Sequence, residues 1–430
     1  MIKKILFGSK DKMKSAYLWN TCAAMLNAFQ TVFILMLISR IDPVIDAGVF
    51  TIAFAIGNLM MAIGKYGIRQ FQVSDVEEKY SFKEYTVARI ITSIIMIAAS
   101  FVYVGVNLAS GLYDSSKSIV IILICLAKVI DAVEDVIHGM FQQYLRLDVA
   151  GKILSIRMCT YIFVYLVCYY FSKNLILTSA VALLVSFIQF VILNYTAIRG
   201  FEIKKKTFEI KNVKNIFVEC FPLFIASYLV IYIGNAPKYA IYKVMSSEAQ
   251  ACFTYIFMPV FVISLLSQFV YQPVISKMAL LWHEKKISQF NKLILRQIAL
   301  ILLLSVAAII GGYLLGIPVL SLIYGVDLTD YKKSLVILLI GGGALAIVNF
   351  LQMIITVARK QKLLNIGYLL AFLLFVFGGK TITEKHGMIG ISVFYTAVVM
   401  ILGAVFIVLT IGIIKGYANS DGKTVAEKKQ

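Results

Sequence analysis

Long apolar runs separated by short charged turns dominate the chain. Segments 15–39, 45–67, 85–109, 117–141, 155–172, 175–198, 216–242, 248–272, 292–324, 332–357, 361–379 and 387–415 have the length and composition of membrane spans, each close to the about 20 apolar residues that cross a bilayer as a helix. The pattern also repeats. Moved back by 203 positions, Phe253-Thr254 falls on Phe50-Thr51, Phe257 on Phe54, Lys243 on Arg40 and Ala251 on Gly48. An offset of six spans keeps the second copy in the orientation of the first, because six is even. The pattern therefore predicts an all-α integral membrane protein of about 12 transmembrane helices, in two parallel-related six-helix bundles around a central cavity. The bundles occupy 1–200 and 216–415, a basic cytoplasmic linker 201–215, and a polar cytoplasmic tail 416–430.

Polar residues interrupt the apolar runs in stripes. In the first span Asn20, Asn27, Gln30 and Thr31 share an arc of about 100°. Thr51, Asn58 and Lys65 line one face of the second, where Ala53, Ala55, Gly57 and Ala62 allow close approach of a neighbour. The seventh carries Ser227, Tyr228, Tyr232, Asn235, Lys238, Tyr239 and Tyr242 on one side, and the tenth Asn349, Gln352, Thr356 and Arg359. Two readings stand: hydrogen bonding between helices, or the lining of a water-filled cavity. Pro237, Pro259, Gly311-Gly312, Gly316 and Pro318 mark places where helices bend.

The fourth span is the most polar. Lys128, Asp131, Glu134, Asp135, His138 and Gln142 fall within an arc of about 120°, at spacings of three and four residues that make them neighbours up one face. A lone charge at mid-bilayer costs at least ~2.5 kcal/mol, so such a row faces a cavity, pairs with itself or neutralises. Lys128 and Asp131 can pair. Asp131, Glu134, Asp135 and His138 then form a candidate ion-coupling site for a proton or sodium ion, against the alternative of a structural ion-pair ladder. Arg89, near the start of the third span, reads as an anchor to lipid headgroups, with contact to a substrate phosphate as the other option.

Composition sets the solvent and the charge sets the topology. With 60% apolar residues, 15% charged residues and a mean hydropathy of +0.88, the chain has too little polar surface to coat a water-soluble globule. The formal charge of +19 is distributed as 31 Lys and Arg on one side of the expected spans and nine on the other, with Lys128 within a helix. That is the positive-inside pattern with both termini cytoplasmic, and it removes the reason to invoke nucleic acid. The first residues hold no sustained apolar core before Asp11, so the first span is read as retained. The six cysteines show no CxxC spacing, Gly341-Gly342-Gly343 lacks the Lys of a phosphate-binding loop, and no nucleophile and base pair stands out. Neither an enzyme nor a bound cofactor is expected.

Three stretches carry a resemblance: SRIDPVIDAGVFTIAFAIGNLMMAIGKYGIRQFQVSD, EDVIHGMFQQYLRLDVAGKILSIRM, and NAPKYAIYKV followed by FTYIFMPVFVISLLSQFVYQPVI. They resemble the polysaccharide biosynthesis (lipid-linked oligosaccharide, O-antigen-type) flippases of the multidrug/oligosaccharidyl-lipid/polysaccharide exporter superfamily, over most of residues 15–300. The resemblance implies a bacterial inner-membrane protein that carries undecaprenyl-diphosphate-linked oligosaccharide to the outer leaflet for O-antigen, capsule or a similar polymer. It also implies membrane lipids, a polysaccharide polymerase and chain-length proteins as partners. Transferred to this chain, it makes Arg40, Lys65, Arg69, Lys238 and Lys243 candidates for the diphosphate, and Asn27, Asn58, Tyr232 and Asn235 for the sugar. Most of these cations lie at helix ends, so Arg89 and Lys128 join them as candidates at the cavity mouth. A cation-coupled drug or metabolite antiporter of the same superfamily would share the helix plan.

Overall fold

The computed structural model describes residues 2–9, 11–42, 45–75, 79–202, 207–271 and 274–427. Glu77, Glu78, Gln272 and linker positions 203–206 lie outside the described residues. The chain forms two compact units, residues 1–231 and 232–430. Ten helices among the described residues are long and apolar enough to cross a membrane. One of them, the 64-residue helix Leu364–Glu427, breaks at Gly387, whose φ of 57° and ψ of −145° belong to no helix and are open to glycine alone. Dividing it there makes eleven, and the charged helix Ser115–Gln143 is the twelfth. The fold is thus an all-helical multi-pass membrane protein.

The first unit contains a short α1 (Ile2–Phe7), α2 (Lys12–Ile41), α3 (Asp46–Lys65), a short α4 (Ile68–Ser74), α5 (Phe82–Ala109), α6 (Ser115–Gln143), α7 (Leu147–Ser172) and α8 (Leu175–Ile198). It also takes the first part of α9 (Ile210–Val244). Side-chain caps define the starts. Asp11, Asp114 and Asn174 accept from the backbone three residues on, and Ser81 with Glu84 makes a reciprocal capping box. α3 is the central helix, with 83% of its most apolar stretch buried. Its small residues permit this. A Cβ on Gly57 would press on Ile124 and Lys128 of α6, and one on Gly64 would stand 2.6 Å from the Met96 sulfur. The expectation of close packing along this helix holds. Thr51 on its polar stripe donates to the Gly48 carbonyl of its own helix.

At the end of α3 the left-handed pair Tyr66 (φ 47°) and Gly67 (φ 70°) turns the chain into α4. Tyr66 stacks on Phe224 of α9 at 4.6 Å between ring centroids, and Gly67 lies so near Leu223 that a side chain there would clash. Glu219 of α9 accepts from Lys79 and Tyr80, and Asn212 donates to Glu84. Lys152 fastens the N-terminal helix by donating to the Ile5 and Leu6 carbonyls and the Ser9 hydroxyl.

The second unit takes the rest of α9, then α10 (Ser247–Tyr271), α11 (Ile275–His283), α12 (Ile287–Gly311), a π-helical turn at Gly312–Gly316, α13 (Ile317–Tyr324), α14 (Lys332–Val357) and the two parts of α15 (Leu364–Glu427). The π turn sits where Gly311-Gly312, Gly316 and Pro318 predict a bend. Gly341, Gly342 and Gly343 fit α14 against Thr396, Val260 and Ser305. Two residues of the polar stripe of α14 bond to other helices, Asn349 donating to Ser264 at 2.6 Å and Gln352 accepting from Tyr368 at 2.8 Å, while Thr356 donates to the Gln352 carbonyl of its own helix. Large apolar side chains such as Phe171 (79%) and Phe377 (76%) stay uncovered by protein, as expected where the solvent is lipid.

Candidate functional site

The polar row of α6 is the centre of a charge network inside the first unit. Asp131 lies twelve residues before the end of the helix at Gln143, about 18 Å along its axis. Lys128 bonds Asp131 at 3.2 Å and holds its ammonium 4.3 Å from the centre of the Phe54 ring on α3. Arg157 of α7 grips both Asp131 and Glu134, the latter at 2.8 Å. Asn194 of α8 donates to the other oxygen of Glu134 at 2.9 Å. Arg89 of α5 bonds Asp135 at 2.9 Å and donates to the Gly64 carbonyl that ends α3. Arg69 of α4 reaches the second oxygen of Asp135 at 3.4 Å and Gln142 at 3.1 Å. Six helices are thereby joined.

Burial explains why the pairing is so complete. Arg89, Glu134 and Arg157 expose 2% or less of their area, and removing one partner of a buried pair strands the other charge at about 3–5 kcal/mol. The balance nevertheless leans positive. Arg69, Arg89, Lys128 and Arg157 face Asp131, Glu134 and Asp135, four cations to three carboxylates. Lys65, half-buried at the end of α3, is close enough to act electrostatically on Asp131 and Asp135. His138 is buried with its Nε2 4.0 Å from Glu134. Among the described residues no group of three His, Cys, Asp or Glu side chains is placed to hold a metal.

The structure assembles the four ion-coupling candidates Asp131, Glu134, Asp135 and His138 into this one network. Of the diphosphate candidates it includes Arg69 and lies beside Lys65. Arg40 ends α2 with its side chain uncovered, Asn27 is exposed on α2, and Asn58 is half-buried on α3. In the second unit Lys238 is buried, 5.9 Å from the Phe257 ring, while Lys243 is exposed near the end of α9. Tyr232 and Asn235 are half-buried, and the Tyr232 ring meets Tyr239 and Phe372.

The headgroup reading of Arg89 is corrected. Its side chain is fully enclosed and bonded to Asp135 on the next helix, so a lipid headgroup cannot reach it. Arg157 and Asn194 are network members that the sequence reading missed. A signal for both arginines existed. Arg89 and Asp135 lie 23 residues either side of Leu112 in the α5–α6 turn, and Arg157 and Glu134 lie 11 or 12 either side of the turn at Leu145 and Arg146. In an antiparallel helix pair, residues equidistant from the turn are level.

No family model matches the chain. It is 23% identical over 356 residues to the "Capsular polysaccharide biosynthesis protein CapF" of Staphylococcus aureus, spanning 82% of this chain and 87% of that protein. Among solved structures it is similar to the lipid II flippase MurJ in an inward closed conformation, with a TM-score of 0.72 at 14% identity, over 93% of this chain and 90% of that one. It is also similar to an inward-facing multidrug resistance MATE family transporter of the MOP superfamily, with a TM-score of 0.67 at 12% identity over 94% and 99%. Twelve spans, two units and a small-residue central helix in the first unit accompany these likenesses. The chain has the fold of the transporters of the multidrug/oligosaccharidyl-lipid/polysaccharide exporter superfamily.

Proposed function

We propose that this chain is a flippase for undecaprenyl-diphosphate-linked oligosaccharide. It would work by alternating access in the bacterial cytoplasmic membrane, with both termini cytoplasmic, and supply the assembly of a surface polysaccharide. The observation that carries the reading is the charge network of the first unit, which keeps a surplus of cation inside apolar helices. A network with more cations than carboxylates suits an anionic passenger. They suit a cationic drug poorly, since each carboxylate of the network already holds an arginine or lysine. The likeness to CapF supports a role in polysaccharide biosynthesis, and the likeness to a lipid II flippase supports a lipid-linked passenger.

In this reading Arg40, Lys65 and Arg69 of the first unit and Lys238 and Lys243 of the second meet the diphosphate, and Asn27, Asn58, Tyr232 and Asn235 meet sugar. Asp131, Glu134, Asp135 and His138 would couple the cycle to a proton or sodium ion. A polymerase and chain-length proteins would receive the product. In a deletion strain the lipid-linked glycan should accumulate facing the cytoplasm, measured by protease-free enzymatic labelling of glycans in sealed spheroplasts. A normal outer-leaflet pool at normal surface polymer would sink the proposal.

A further inference from the structure

The network does not hold its cations equally. Arg89 is enclosed, 2.9 Å from Asp135, and Arg157 is enclosed between Asp131 and Glu134. Arg69 differs in three ways. Its side chain keeps 29% of its area exposed. Its contact with Asp135 is 3.4 Å, beyond the about 2.7–2.9 Å of a strong charge-assisted bond. And it comes from α4, the seven-residue helix in the connection between α3 and α5. Asp135 is already neutralised by Arg89, so Arg69 is the surplus charge of the set. Withdrawing it leaves every buried carboxylate paired, which is true of neither Arg89 nor Arg157. Gly139, one turn beyond Asp135, makes room for α4 as a whole: a Cβ there would clash with the Gln72 side chain and stand 3.3 Å from the Arg69 Cγ.

We propose that Arg69 is a transferable guanidinium, parked on Asp135 and Gln142 when the site is empty and handed to a phosphate-type oxyanion when the passenger loads. Asp135 thus acts as an internal competitor that occupies the fork of donors a phosphate would take. A guanidinium fits carboxylate and phosphate in the same planar, two-pronged way, so the exchange replaces like with like. Lys65 at the end of α3 adds a second positive charge beside the same carboxylate. The competitor keeps the surplus cation from trapping free anions, and the passenger gains affinity only by displacing it. This inference deepens the flippase reading and rests on it for the identity of the passenger, though not for the exchange itself.

The test is binding to the purified, detergent-solubilised full chain, with inorganic pyrophosphate as one probe and undecaprenyl diphosphate in mixed micelles as the other. Asp135→Asn removes the competitor and is expected to tighten binding about tenfold. Gln142→Leu removes only the neutral half of the parking place, leaves both arginine pairs intact, and is expected to tighten it about two- to threefold. Arg69→Gln is expected to weaken binding about tenfold or more while leaving the thermal transition near that of the wild type. If Asp135→Asn does not fold, Gln142→Leu carries the comparison. Tightening toward both probes assigns the exchange to the phosphate group itself, and tightening toward the lipid alone assigns it to a headgroup delivered from the membrane. Unchanged or weaker binding by the competitor variants, or no binding by any of the proteins, overturns the proposal. Tighter binding together with normal glycan distribution in the deletion strain would keep the exchange and remove the flippase reading.

Discussion

The two units use one aromatic arrangement and two treatments of charge. In the first, Phe50 and Phe54 pair at 5.7 Å on α3, and Lys128 lies over the Phe54 ring. In the second, 203 residues on, Phe253 and Phe257 pair at 5.2 Å on α10, and Lys238 lies over the Phe257 ring. Lys128 has a carboxylate one turn away and two arginine-bonded carboxylates beyond it. Lys238 has no carboxylate partner among the described residues. The packing of small and aromatic side chains repeats because it depends on positions along a helix. Charge compensation does not repeat, because it depends on which neighbouring helix brings a partner to the same level. The first unit is thus expected to be held together by its charges, and the second by glycine contacts and single hydrogen bonds.

The sharpest way to break that contrast is to remove Arg157. Arg157→Ala leaves Asp131 and Glu134 short of their shared partner, and the first unit should lose about 3–5 kcal/mol of stability. A thermal unfolding scan in detergent would show it, and a transition within a degree or two of the wild type would contradict the role given to the network. Next in size are the glycine contacts. Gly64→Leu in the first unit and Gly342→Leu in the second both overfill a helix crossing, at about 1–3 kcal/mol each. Similar losses in the two units are expected, since this part of the architecture is common to both.

Smaller still is Asn349→Ala. It takes the Ser264 bond from the second unit and should lower stability by about 0.6 kcal/mol, near the average for a hydrogen bond between membrane helices. Denaturation by a titrated ionic detergent has the resolution to check it. Last is Lys238→Ala. Because no ion pair is broken, stability should stay within about 1 kcal/mol of the wild type, while surface-polymer output falls at matched protein levels. Wild-type output would remove Lys238 from the passenger's path. A large loss of stability would instead mean that Lys238 is structural after all.

Much of the fold was legible beforehand. Apolar runs of spanning length show helices directly, and glycine and proline at 311–318 fall where the regular α-helix gives way to a π turn. The polar face of α6 was legible as a row, since spacings of three and four residues are a property of one helix. Its partners were harder. Arg69, Arg89 and Arg157 sit in or near the turn-proximal third of their helices, where an arginine can equally reach a lipid phosphate, and no single-helix pattern separates the two fates. The symmetric distances from the α5–α6 and α6–α7 turns would have narrowed the choice.

The sequence by itself determined that lipid is the solvent, that the chain crosses it many times, that a repeat of 203 residues runs through it, and that a carboxylate-rich row must find compensation. Only the tertiary structure decided where that compensation comes from. It placed Arg157, Arg89 and Asn194 on Asp131, Glu134 and Asp135, and left Arg69 as the loosely held surplus. The reason is physical. Hydrophobic length is summed along the chain, whereas the energy of a buried charge is set by distances of a few ångströms to groups on other helices, up to 66 residues away in sequence.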